Sequence, residues 1–302
     1  MTARKYQSDI LLVAALLLCL CVPAFTKSAY GQKGTTAGKS GSHSVGPRGE
    51  MSAPARALVE QAIEVICRER KLDPAGSMPI DEMQARPSLP IHTSEAQSGL
   101  ERAQRVLPVA KNLVITGLKQ LAAEYGFQKS NRYQVRIQQA IERVQEVKRI
   151  RPDMESRDNA SVYLSRPHTI TFGTIFLAGL KSDEGMISVL AHELMHIADG
   201  NGDSLRALVA AISKRASLLT GLDIRGQRGE ELTCDLIGAM AVSAYVADSP
   251  SYELITRRLA RSVEHNCVDV DEGDEDHLSP RNTIRALLAI NPNFVRELVT
   301  GR

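Results

Sequence analysis

Ala191-His192-Glu193-Leu194-Met195-His196 decides how this chain is read. It lies in a segment whose apolar residues, Ile187, Leu190, Leu194 and Ile197, recur at helical spacing and form one stripe. On a helix, residues four apart share a face, so His192 and His196 can aim both imidazoles at one point. That point falls opposite the apolar stripe, where a packed helix presents polar groups to a cleft. Glu193 sits one step round, close enough to act on a water held there without being a ligand itself. This spacing supplies two ligands for a zinc ion and one general base. The competing reading is a surface or capping pair of histidines. The three fixed letters recur by chance in about one chain in a hundred of this length, and the stripe around them argues against accident.

A catalytic zinc takes three protein ligands and keeps one position for water. A third histidine six residues on is excluded, because Gly202 stands there and Asp199-Gly200-Asn201-Gly202 should end the helix. The third donor must come from another element. Arg228-Gly229-Glu230-Glu231-Leu232-Thr233-Cys234-Asp235 opens a second predicted helix, in which Glu231 and Asp235 face one way. Glu231 is the expected ligand. Asp235 would accept a hydrogen bond from the non-ligating nitrogen of a zinc histidine and fix its orientation. Glu230 is the rival ligand, weaker because its partner four residues on is Cys234 and not a carboxylate. The bland alternative is an acidic pair favoured at a helix start by the macrodipole. Cys234 could compete for the metal, but its place between Glu231 and Asp235 argues for packing. Gly238 on the same face costs about 1 kcal/mol relative to alanine, which close approach of two helices would justify.

These residues resemble a known family. His192-Glu193-Leu194-Met195-His196 followed by Glu231-x-x-x-Asp235 resembles the gluzincin metallopeptidases of the HtpX and CAAX-prenyl-protease family. Upstream, Thr171-Phe172-Gly173-Thr174-Ile175-Phe176-Leu177-Ala178-Gly179-Leu180 resembles its glycine-bearing edge strand. Downstream, His277-Leu278-Ser279-Pro280-Arg281-Asn282-Thr283-Ile284-Arg285-Ala286-Leu287 resembles its His-Pro-x-x-x-x-Arg-Ile-x-x-Leu segment. The likeness spans residues 130–292. Cys234 and Leu236 depart from the Ala and Arg that commonly flank the helix Asp, and the usual Asn before the edge strand is missing, with His168 nearby.

The resemblance implies a mainly α fold of the α+β class, a zincin-like domain with a small edge β-sheet beside the zinc helix. It implies one Zn2+ per chain, protein or peptide substrates, and hydrolysis in which Glu193 takes a proton from zinc-activated water and returns it to the leaving amine. A second donor to the developing oxyanion is expected at His277 or Arg281, although His277 reads equally as a solvated loop residue. The strand from Gly173 to Leu177 could accept an extended substrate as an extra strand, or simply be buried. His168 and His265 lack ligand spacing to anything.

Arg4 and Lys5 precede an apolar run from Ile10 to Phe25, and Val22-Pro23-Ala24 supplies small residues for cleavage after Ala24. Residues 1–24 therefore read as a signal peptide, with an uncleaved membrane anchor as the alternative. Cys19 and Cys21 each follow Leu and so do not suit lipid attachment. No other stretch approaches the roughly 20 apolar residues of a spanning helix, so the mature chain is expected in the periplasm or secreted, without a membrane span. Three cysteines then remain, Cys67, Cys234 and Cys267, of which Cys67 and Cys267 are the expected disulfide pair. A net charge of +2 over 302 residues, without a basic stripe, argues against nucleic acid. Trp is absent and aromatics are 4%, so the core must come from Leu, Ile, Val and Ala.

Residues 25–50 read as a flexible linker, 51–98 as an N-terminal helix and loop, and 99–302 as the zinc metallopeptidase domain. Helices are expected at 53–72, 99–125, 131–150, 184–199, 203–220 (capped by Asp203 or Ser204), 229–247 and 250–265, with strands at 161–164 and 169–177. The acidic run Asp269 to Asp276 misses the EF-hand register and reads as a solvated loop that could gate a cleft or repel acidic substrates. Asn159-Ala160-Ser161 is a formal glycosylation sequon. Two functions remain: an exported zinc endopeptidase, for which the resemblance suggests envelope protein quality control, and a zinc-stabilised binding or chaperone-like protein without turnover. Glu193 favours the first, since a purely structural zinc has no use for a base.

Overall fold

The computed structural model describes residues 50–73, 78, 80–163, 165–200, 204–263 and 273–300. The expected signal peptide, the linker up to residue 49, Asp203, His265, Cys267 and residues 269–272 of the acidic run lie outside the described residues.

The fold is mainly helical with one small sheet. Helix α1 (Ala53–Leu72) starts where Ser52 Oγ accepts the Ala55 amide at 3.4 Å, and it buries Val59, Ala62, Ile63 and Ile66. A short α2 (Ile80–Ala85) follows, then the long α3 (Ser94–Glu124). Ala103, Val106, Ala110, Val114, Leu118 and Leu121 make the buried stripe of α3. Next come α4 (Asn131–Glu146), β1 (Arg149–Asp153), β2 (Ala160–Val162), β3 (Thr169–Gly173) and α5 (Thr174–Gly179). The chain continues through α6 (Asp183–Asp199), α7 (Arg206–Thr220), α8 (Gln227–Asp248), α9 (Ile255–Ala260), α10 (Pro280–Ile290) and α11 (Pro292–Thr300). Helix α6 is the hub: it packs against α3, α4, α8 and β2. Helix α1 closes the other side against α9, α10 and α11. No helix of the described residues is long and apolar enough to cross a membrane.

In the sheet, β3 is central. It pairs in parallel with β1, Arg149 opposite Thr169, and antiparallel with β2, Ala160 opposite Phe172. Ile170 and Phe172 are fully buried, so β3 is enclosed rather than available to an added strand. This corrects the expectation for Gly173 to Leu177: the strand stops at Gly173 and residues 174–179 coil into α5. The cause lies in the loop before β2. Gly173 N–H donates to Asn159 O at 2.7 Å and Phe176 N–H to Arg157 O at 3.1 Å, drawing the chain off the strand path.

Other boundaries shift for similar reasons. Thr93 Oγ1 accepts the Ala96 amide at 3.4 Å, so α3 begins inside the expected loop. The helix expected to reach 150 ends at Glu146, because Arg149–Asp153 is drawn into the sheet. Helix α7 begins at Arg206 with Leu205 at its N-cap position and no side-chain cap, so Ser204 does not cap it; the Leu205 amide instead donates to Asp199 Oδ1 at 2.6 Å. The expected helix 250–265 shortens to α9. Cys67 is disulfide-bonded and Cys234 is a buried free thiol.

Gly99 lets the backbone of α3 approach that of α5 closely. A Cβ there would lie 2.1 Å from the carbonyl oxygen of Leu177 in α5, and neither backbone can yield without moving its helix. Gly99→Ala should therefore destabilise the fold by about 2 kcal/mol or more, lowering the urea midpoint. The exposed neighbour change Ser98→Ala should leave that midpoint within about 0.5 kcal/mol of wild type.

Candidate metal centre

Helix α6 is held at both ends. Ser182 Oγ accepts the Gly185 amide at 3.0 Å, and Asp183 and Glu184 sit in the first turn, where the macrodipole favours acids. Arg105 clamps Asp183 through bonds of 2.8 and 2.6 Å, and Arg258 of α9 meets Glu184 at 2.7 Å in a pair buried on both sides. At the other end Arg143 of α4 donates to Ile197 O at 3.2 Å and Ala198 O at 3.0 Å, satisfying carbonyls the helix leaves open. Gly200, at φ 73°, ends it. Most of the helix surface is buried; Ser188, His192 and His196, four apart, form its partly open edge.

Helix α8 lies along that edge. A Cβ on Gly238 would stand 3.0 Å from Ser188 O, and one on Gly229 would stand 2.2 Å from Ser213 Oγ of α7. These glycines let α8 lie against α6 and α7 and carry its first two turns to the histidines. His192 Nε2 and His196 Nε2 are 3.1 Å apart, and Glu231 Oε2 lies 3.2 Å from the first and 3.5 Å from the second. Ligands about 2.0–2.1 Å from zinc in a tetrahedron are separated by roughly 3.4 Å, so the three atoms form one face of such a site. The residues fit a zinc ion.

The outer nitrogens are held as well. Asp235 Oδ1 lies 2.8 Å from His192 Nδ1. Glu230 Oε1 lies 3.3 Å and Cys234 Sγ 3.6 Å from His196 Nδ1. Two pairs four residues apart thus share the work: Glu231 and Asp235 serve His192, and Glu230 and Cys234, one position back, serve His196. The second pair was missed as a unit in the sequence, although the one-residue offset was visible there. His192, His196 and Cys234 also form a cluster with ligand atoms within 4.8 Å of one another. Cys234, however, touches the nitrogen of His196 opposite the one facing His192, so a metal on both Nε2 atoms sits on the Glu231 side. Glu230 backs the ring rather than entering that face.

The electrostatics are those of a crowded, buried cluster. Burial opposes charge on His192 and His196. For His192 the bonds to Asp235 and Glu231 outweigh it, and for His196 those to Cys234, Glu230 and Glu231, so both imidazoles hold a proton more tightly than usual. Glu231 sits below the carboxylate range: burial would raise it, but the two histidines prevail. Burial pushes Glu193 up, partly offset by the two histidines, and pushes the Cys234 thiol up. Glu193 is buried and has no hydrogen-bond partner among the described residues.

His277 reaches the rim. Its Nε2 is 3.8 Å from Glu231 Oε2, and the ring is 60% exposed. Asp274 holds it there, with Oδ1 accepting the His277 amide at 2.6 Å and lying 3.2 Å from Nδ1, while Arg228 donates to Asp274 O. Arg281, the other expected oxyanion donor, instead meets Glu64 of α1 at 2.8 Å, with Glu60 at 3.7 Å. Both acids belong to α1, some two hundred residues earlier in the chain. His168 pairs with Glu146 at 3.7 Å, apart from the centre. A cavity of about 760 Å³ adjoins the site and is lined by Asp199, Val209, Ser213, Leu222, Ile224 and Glu230 among others. Comparison with protein-family models, curated proteins and solved structures finds no match.

The ligand assignment makes a direct expectation. Glu231→Gln should reduce bound zinc, measured by elemental analysis after dialysis, to below half an ion per chain, whereas Cys234→Ser should keep about one. Asp235→Asn should weaken zinc affinity by about 10–100-fold without abolishing binding.

Proposed function

We propose that this chain is an exported zinc-dependent endopeptidase, with His192, His196 and Glu231 as metal ligands and Glu193 as general base. The observation that carries the reading is the near-equal spacing of the three donor atoms, 3.1, 3.2 and 3.5 Å, with a buried carboxylate one residue away that makes no hydrogen bond among the described residues. The resemblance to the HtpX and CAAX-prenyl-protease family agrees with it, and the expected signal sequence supplies the exported location. A zinc ion held there would supply Lewis acidity, making water acidic near neutral pH and polarising a peptide carbonyl.

The chain's own residues do the rest. Glu193, made more basic by burial, is suited to take a proton from the attacking water and deliver it to the departing amine. Asp235 and Glu230 keep both rings in the orientation that leaves Nε2 free for the metal. His277, with its ring open to solvent at the rim, is positioned to donate to a developing oxyanion. An extended substrate has one sheet edge beside α6, namely β2. The cavity beyond Glu230 is of a size to take substrate side chains. Envelope protein quality control is the biological setting this reading favours.

A second reading, a zinc-stabilised binding or chaperone-like protein, draws on His277: its Nε2 lies 3.8 Å from Glu231 Oε2, near enough for a small movement to close the site with a fourth ligand. The two separate in one assay. With fluorescent casein or a quenched peptide library, Glu193→Gln should bind about one zinc ion yet lose about 10²–10⁴-fold in rate. Equal cleavage by wild type and Glu193→Gln would remove Glu193 from the mechanism, and zinc-loaded proteins both without cleavage would favour the binding reading.

A further inference from the structure

A second cavity of about 560 Å³ lies among α3, β1 and the start of β3, sharing no residue with the metal centre. Lys148, Arg149, Arg151 and Arg166 line it, and no acidic residue does. All four cations are exposed, and none of their side chains makes a hydrogen bond or close ion pair among the described residues. Two acids nearby in the chain have other partners as well. Asp153, which feels the charge of Arg151, accepts bonds from Ser156 Oγ at 2.8 Å and Glu155 N at 3.3 Å, and Glu146 faces His168. Positive charge is crowded enough to reach a neighbour: Lys111, tied to the carbonyls of Gln145 and Val147, has its pKa lowered by burial and by the charge of Lys148.

Four like charges gathered round one concavity repel one another, and an anion bound among them relieves that repulsion. A single carboxylate leaves most of the charge unbalanced, whereas each phosphate group brings up to two negative charges and matches the planar fork of arginine. No aromatic ring lines the cavity, so nothing stacks on a base; the apolar walls are Leu107, Ile150 and Pro152. Pro152 also lacks the N–H that an added strand would need, which turns recognition toward side chains. We propose that this groove binds a multiply phosphorylated, non-aromatic anion, free or displayed as a lipid headgroup.

Titration calorimetry of the full-length chain with sodium tripolyphosphate should show one saturable site that weakens as salt rises. Arg149→Gln combined with Arg166→Gln should weaken binding about a hundredfold, roughly tenfold for each lost charged contact. The paired change to Lys should stay nearer wild type, and Arg132→Gln, at the far end of α4, should change nothing. Co-sedimentation with phosphatidylcholine vesicles carrying phosphatidylinositol bisphosphate, displaced by tripolyphosphate, would assign the headgroup form; tripolyphosphate binding without sedimentation would assign the soluble form. Absence of saturable binding to both probes, or equal affinity in the glutamine pair, would overturn the proposal.

Discussion

The approach of α8 to α6 is the constraint on which the centre depends. Donor atoms can share one small cation only if their backbones come close, and the contact of Gly238 with Ser188 sets that closeness. Helix α6 cannot drift to relieve it. Its first turn is tied by Arg105 and by the buried Arg258–Glu184 pair, and Arg143 holds its last carbonyls. Losing one member of such a buried pair costs about 3–5 kcal/mol, which fixes the helix axially as well as sideways.

Charge balance gives the same answer as geometry. Glu193, Glu230, Glu231 and Asp235 surround two imidazoles in a partly buried space. Carboxylates gathered in this way are costly unless a cation neutralises them. Protons on the histidines do so in one way, and a divalent ion on the Nε2 face does so in another, with Nδ1 of each ring still hydrogen-bonded. Asp235 and Glu230 are therefore as much a part of the site as the atoms that face its centre: they fix which nitrogen of each ring is free.

Much of this was legible because it is local. Residues four apart on a helix meet whatever the rest of the chain does, so the facing imidazoles of His192 and His196 and the shared face of Glu231 and Asp235 could be read from spacing alone. The helical character of the core followed from the same periodicity, whereas the small sheet beside α6 was what the resemblance implied. What escaped depended on distant partners. β1 reads as a helix tail until β3 pairs with it, and α5 reads as strand until the loop before β2 takes the Gly173 and Phe176 amides. Arg281 resembled a site residue, but Glu64, far back in the chain, holds it. The partners of His196 came nearest to being readable, since Glu230 and Cys234 repeat the four-residue spacing of Glu231 and Asp235 one position earlier.

The central claim is that two imidazoles and one carboxylate meet at a single zinc ion with one position left for water. X-ray absorption at the zinc edge of the loaded protein tests this most directly. The account requires a shell of nitrogen and oxygen at about 2.0–2.1 Å with scattering from two imidazoles and none from sulfur. A sulfur shell near 2.3 Å, or a third imidazole, would contradict it.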